Sequence, residues 1–381
     1  MVAGLGRKRT WEIFEKYILK ESAIKRYKPD WKEARERMAS WWKGEETDRV
    51  AASLVAPKKT HISSCREDNR VPEKFIDPKV VFNNLEIRLA NTIWGGEAFP
   101  VHFVYLGAMF TVTFLGAEPI FYENGAWYKS PYSGWEDADK VNFERENRWW
   151  NLYRNLVKTS AENSKGEYFT TVGGIGASID VFAELFGPEK TLISMVDMPG
   201  KVKELRERII GWGKETYDEL SSIISPYQEG SIDWMQMWAP GRVRSLQCDL
   251  SVAFSPSMFR DFVMPELRSF WEHVDYGIYH LDGETQKKHV DMLLSLESLD
   301  VIQFVPITRN DRIYPRDPMF HIDLFRKILE GGKKVIIVCP VERIKPLLNS
   351  IPRKGVYLCC TGCQDEKMVS DTLKILDSIG T

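Results

Sequence analysis

The apolar residues of this chain follow two different spacings, and the change between them divides it. In "TWEIFEKYILK" and "WKEARERMASWWKGEE", aromatic and aliphatic side chains recur every three or four positions among charges, which predicts surface-lying helices over residues 7–46. From residue 50 the texture becomes short runs rich in β-branched and aromatic residues. They are "VAASLVA" (50–56), "VHFVYL" (101–106), "YFTTVG" (168–173), "IDWMQMW" (232–238), "SLQCDL" (245–250), "GIYHLD" (277–282), "VIQFV" (301–305), "KVIIVC" (334–339) and "VYLCC" (356–360). Helical patterns lie between most of them, such as "SPSMFRDFVMPELRSFWEHV", where Ser255 before Pro256 forms an N-cap with proline in the first turn. Apolar strands alternating with helices predict a parallel sheet covered by helices. The expectation is an α/β fold of the (β/α)8 TIM barrel type, with a helical N-terminal extension over residues 1–48 and the barrel over 49–381. A doubly wound open sheet is the alternative.

Bulk properties narrow the function classes. A formal net charge of -2 and a pI near 6.4 lack the basic face of a nucleic-acid binder, so no nucleic acid is expected as partner. Six cysteines in 381 residues are too few for a disulfide scaffold, and three stand together at Cys359, Cys360 and Cys363; the compartment expected is cytoplasmic. The start of the chain carries charge from Arg7 onward and lacks a signal peptide's apolar core. The uncharged run from Ala98 to Ala117 contains Pro100, His102 and Gly107 and reads as a strand, loop and helix rather than a membrane span.

In parallel α/β folds ligands bind at the carboxyl ends of strands. In "GIYHLD", alternation puts His280 and Asp282 on one face, roughly 7 Å apart, with Gly283 allowing a tight turn after them. In "SLQCDL", Gln247 and Asp249 share a face and Cys248 takes the other, as a small core side chain. Asp249 is a candidate acid, base or anchor. Cys360 and Cys363 form a C-x-x-C pair, which is half a zinc site, a redox pair or two unrelated thiols. "DWMQMWAPGR" offers Trp234, Met237, Trp238 and Arg242 as an aromatic substrate wall or as core, and Gln303 in "VIQFV" is a further candidate contact. "GGIGAS" (173–178) lacks the third glycine of a dinucleotide fingerprint and is read as a tight turn.

With those residues in view, the chain resembles the uroporphyrinogen decarboxylase superfamily. The resemblance runs from Ala98 to the end and rests on "FLGAEPIFYENGAWYKS", "SIDVFAELFGPEKTLISMVDMPGKVKEL", "CDLSVAFSPSMFRDFVMPEL", "YGIYHLDG" and "LDVIQFV" in that order. The arginine-bearing start of true porphyrinogen decarboxylases is missing, which turns the comparison toward the cobalamin-linked methyltransferases. Those bind zinc through His-x-Cys at one strand end and a cysteine after a late strand. The matching places here hold His280, Asp282 instead of cysteine, and Cys360 or Cys363.

The resemblance therefore implies a zinc-dependent methyltransferase with His280, Asp282, Cys360 and Cys363 as metal ligands and Asp249 and His280 as catalytic groups. Gln247, Met237, Trp238 and Gln303 would contact substrate. The methyl group would leave a small methoxylated aromatic donor, with zinc activating the donor oxygen, and pass to a corrinoid on a partner protein; family members often form homodimers. An aryl donor is favoured because a phenolate, with a pKa about 10, leaves far more easily than an alkoxide. The alternatives are a metal-free decarboxylase relying on Asp249, a barrel that only binds a small molecule, and a redox role for Cys360 and Cys363.

Overall fold

The computed structural model describes residues 26–59, 66–306 and 316–380. The helical expectation for residues 7–25 lies outside them. What remains of the extension is α1 (Trp31–Lys43), whose Trp31, Met38, Trp41 and Trp42 are buried. It ends at Gly44 in the left-handed region (φ 73°), where a glycine carries no Cβ penalty.

Among the described residues thirteen strands follow: β1 (Ala51–Pro57), β2 (Thr92–Gly96), β3 (Val101–His102), β4 (Glu118–Tyr122), β5 (Gly125–Lys129), β6 (Phe169–Thr170), β7 (Ser231–Ile232), β8 (Trp238–Ala239), β9 (Val243–Leu246), β10 (Tyr276–Asp282), β11 (Val301–Val305), β12 (Lys334–Pro340) and β13 (Val356–Thr361). The longer helices between and after them are α2 (Pro78–Asn91), α3 (Arg148–Ser164), α4 (Ser178–Phe186), α5 (Pro188–Asp197), α6 (Pro199–Ile224), α7 (Met264–Trp271), α8 (Ile322–Glu330) and α9 (Glu366–Ile379). The main sheet has seven strands in the order β2-β1-β13-β12-β11-β10-β9; only the β1–β2 pairing is antiparallel.

This is an α/β fold with a mostly parallel sheet, but the sheet is not closed as the expected barrel. Three of the strands read from the sequence are the reason. The runs at 101–106 and 168–173 pair over only two residues each, as β3 and β6. The run at 232–238 is not one strand: Gln236 sits at φ 55° and the chain doubles back, so β7 pairs antiparallel with β8. An isolated hydrogen bond bridges β6 and β7, from Val172 N to the Ile232 carbonyl (2.7 Å), and a second continues the antiparallel β1–β2 pairing, from Glu97 N to the Ala52 carbonyl (2.9 Å). Buried Glu97 strengthens the second bridge by accepting from Ala52 N (2.5 Å), from Arg49 (2.9 Å, twice) and from Arg37 of α1 (2.6 Å).

Two apolar layers result. One lies between sheet and helices and takes Ala52, Leu54, Leu246, Tyr279, Leu281, Phe304, Ile337, Cys339 and Leu358. The other lies inside the curve of the sheet at the amino ends of the strands. There Ala51, Val243, Ile278, Val301, Ile336 and Tyr357 meet the tryptophans of α1. Burying each large side chain of that plug contributes about 1.5–3 kcal/mol. The inner face is thus sealed at one end, leaving its polar positions toward the carboxyl ends. Among the described residues no helix is long and apolar enough to cross a membrane.

Candidate functional site

Strand alternation assigns the inner face. Ile278 belongs to the inner layer, so His280 and Asp282, two and four residues on, share its side of β10, while Tyr279 and Leu281 pack outward. The same rule puts Gln303 inward on β11, directly paired with His280. It puts Ser245 and Gln247 inward beyond Val243, and Cys359 inward beyond Tyr357.

The geometry centres on His280. Its Nδ1 is hydrogen-bonded to Gln303 Oε1; an amide oxygen only accepts, so Nδ1 donates and Nε2 is left toward Asp282. Nε2 lies 3.9 Å from Asp282 Oδ2, and the indole of Trp234 meets the imidazole edge-on at 5.4 Å between ring centres. Trp234 is held in turn by a bond from its Nε1 to the Ser245 carbonyl (3.1 Å). Asp282 Oδ1 is buried without a hydrogen-bond partner.

Asp249 stands just past β9, where Gln247 Nε2 donates to its Oδ2 at 2.9 Å. Partial burial raises its proton affinity, and the neighbouring His280 lowers it. Burial pushes Asp282 up to about 6, with His280 opposing the shift and Asp249 adding to it. A third carboxyl, Asp180, is buried behind Asp249 and pushed up to about 7 by burial and by the Asp249 charge. The rim therefore holds one imidazole and a set of carboxyls that keep protons unusually well, an arrangement suited to delivering or accepting a proton.

Several sequence expectations are redirected. Met237 and Trp238 are 2% and 0% exposed and sit in the inner apolar layer with Trp31 and Trp42, so they cannot wall a substrate. The backbone reversal at Gln236 sends them to the closed end; Trp234, before the reversal, is the aromatic residue beside His280. Arg242 precedes β9 and pairs with Asp218, also away from the rim.

Cys360 is on the outward face of β13 and packs against the sheet–helix layer, as does buried Cys363. There Cys360 pairs in register with Cys339, and burial together with neighbouring thiols holds its proton well above the usual thiol range. The four expected zinc donors therefore do not come together. Among the described residues no three His, Cys, Asp or Glu side chains converge closely enough to hold a metal ion. His280 and Asp282 are a two-donor fragment. Cys359, not Cys360, is the cysteine on the inner face, with Ser53 as its hydrogen-bonding neighbour.

Asp180 was not legible in the sequence. An aspartate in the first turn of a helix suits the macrodipole at that end, and nothing in "SIDVFAEL" distinguishes a residue that reaches across to another loop.

No protein-family model matches the sequence, and no curated protein matches it. Among solved structures, a methyltransferase from Methanosarcina mazei superposes with a TM-score of 0.59 at 13% identity, covering 91% of this chain and 98% of its own. At that identity the likeness establishes a shared fold.

Proposed function

We propose that the chain is a methyltransferase that takes the methyl group of a small methoxylated aromatic compound and passes it to a corrinoid carried by a partner protein. The fold is read accordingly as a barrel-like (β/α)8 sheet whose hydrogen bonding is interrupted on one side. The methyltransferase of similar fold supports methyl transfer as the general reaction. The observation that carries the reading is the meeting of His280, Asp282 and Gln303 on the inner carboxyl ends of β10 and β11, with Asp249 within electrostatic range.

Cleaving a methyl ether breaks the carbon–oxygen bond, and its electron pair stays on the oxygen. The acceptor's electron pair makes the new bond to the methyl carbon. The departing oxygen then needs a proton or an adjacent positive charge. Asp282 is placed to give that proton, since burial pushes it up to about 6, and its carboxylate then takes a proton back from water at the rim, with His280 Nε2 beside it as the relay. Gln303 fixes the ring that does so. Trp234 offers a flat apolar wall for an aryl group. No step is routed through zinc, because the expected donor set does not assemble.

The test is to incubate the purified protein with free cob(I)alamin and a panel of methoxylated aromatics, following the corrinoid spectrum and the demethylated product, with metal content measured on the same sample. The expected result is one phenol formed per corrinoid methylated, lost on His280→Ala. Absence of transfer from every donor, or full activity in that variant, would overturn the proposal.

A further inference from the structure

Past β9 the chain leaves the strand at Cys248 and turns through a 3-10 stretch, Asp249–Ala253. The first two amides of this turn are taken by a single side chain. Asp249 N donates to Asp180 Oδ2 at 2.8 Å, and Leu250 N donates to Asp180 Oδ1 at 2.9 Å. Asp180 is 6% exposed and comes from a distant part of the chain, the first turn of α4. That turn is itself pinned, because buried Glu266 accepts from Ser178 N (3.0 and 3.1 Å) and from the Ser178 hydroxyl.

A carboxyl that takes two consecutive N–H groups, one on each oxygen, fixes the turn in rotation as well as position. The groups facing Asp180 are Asp249, Glu266, Cys248 and Tyr279; none of them is a cation that would otherwise explain a carboxylate buried here. The turn itself is what Asp180 serves.

We propose that Asp180 is a positioning residue for Asp249: by clamping the amides of Asp249 and Leu250 it sets where the Asp249 carboxyl stands relative to His280 and to whatever occupies the mouth. The inference rests on the proposed methyl transfer only for its catalytic consequence. The clamp can be tested without it. Inserting Asp180→Asn replaces one accepting oxygen by an N–H2 group that faces a donor, while keeping size.

Hydrogen exchange on the full chain gives the first readout. In the wild type the amides of Asp249 and Leu250 should be protected despite lying on a rim turn. In Asp180→Asn their protection should fall at least about tenfold, with amides of β10 and β11 unchanged. Unprotected amides in the wild type, or unchanged protection in the variant, would overturn the clamp; the wild-type measurement decides even where the variant does not fold. The second readout is kinetic. If the wild type transfers methyl groups, Asp180→Asn should lower kcat about 100-fold with KM little changed, and Asp249→Asn should add almost nothing to it. Loss of protection with normal kcat would leave Asp180 a purely structural residue and overturn the positioning role. Should the wild type show no transfer at all, the methyl reading fails while the exchange result still stands or falls alone.

Discussion

Asp282→Asn tests whether the rim carries a cost in stability for its chemistry. The side chain keeps only 16% of its surface in solvent, and its Oδ1 has no partner. Burial moves its ionisation from the ordinary 3.8 to about 6, which corresponds to ~3 kcal/mol against the ionised form in the folded chain. The folded state binds this proton more tightly than the unfolded state does. The penalty is therefore absent below about pH 4, grows as pH rises toward about 6, and is complete above it. Because Asp282, Asp249 and His280 interact, part of the cost belongs to the group as a whole, and removing one charge should recover ~1–3 kcal/mol. Urea unfolding of metal-free protein at a series of pH values should thus find the asparagine variant more stable than wild type by that amount at pH about 7.5, and equal to it at pH about 4. Methyl transfer should fall at least about 100-fold in the same variant. An asparagine variant that is less stable at pH about 7.5, or a difference that ignores pH, refutes the reasoning.

Three further outcomes are expected. Trp31→Ala should cost about 3–5 kcal/mol in denaturant unfolding, since the ring packs against Phe99, Phe169 and Trp238 and its Nε1 donates to Glu229. Gly213→Ala on α6 should destabilise although alanine favours helices by about 1 kcal/mol, because the added carbon would lie 2.4 Å from the Ile175 carbonyl oxygen and 2.5 Å from Phe270; a gain in melting temperature would contradict that close approach. Cys360→Ala and Cys363→Ala should lower stability while leaving methyl transfer within about twofold of wild type, since both side chains pack outside the inner face; loss of transfer in either folded variant would restore them to the site.

The legible parts of the fold were those written in long local patterns. The strands at 276–282, 301–305, 334–340 and 356–361 are runs dominated by β-branched, aromatic and other apolar residues and stand out from sequence alone. The two-residue strands at 101–102 and 169–170 could not be bounded, because their pairing is with each other across some 65 intervening residues rather than with anything local. Alternation placed His280 and Asp282 on a common face because Ile278 fixes it from two residues away. The same alternation lets only one of the consecutive Cys359 and Cys360 face inward, without deciding which. That depended on Tyr357, whose large ring could as easily have packed under the helices and instead meets Trp41 at the closed end. Met237 and Trp238 were misplaced for a related reason: a non-glycine residue in the left-handed region, Gln236, reverses the chain where the sequence shows no turn signal.

The most direct measurement is a single turnover with a donor whose methoxy carbon is isotopically labelled, mixed with the protein and cob(I)alamin and quenched in time. Label should pass from the aryl ether to the corrinoid in the wild type, with the carbon–oxygen bond cut on the methyl side, and should stay on the donor with His280→Ala. Label that never reaches the corrinoid in the wild type, or that leaves the donor at the same rate without the His280 imidazole, would contradict the account.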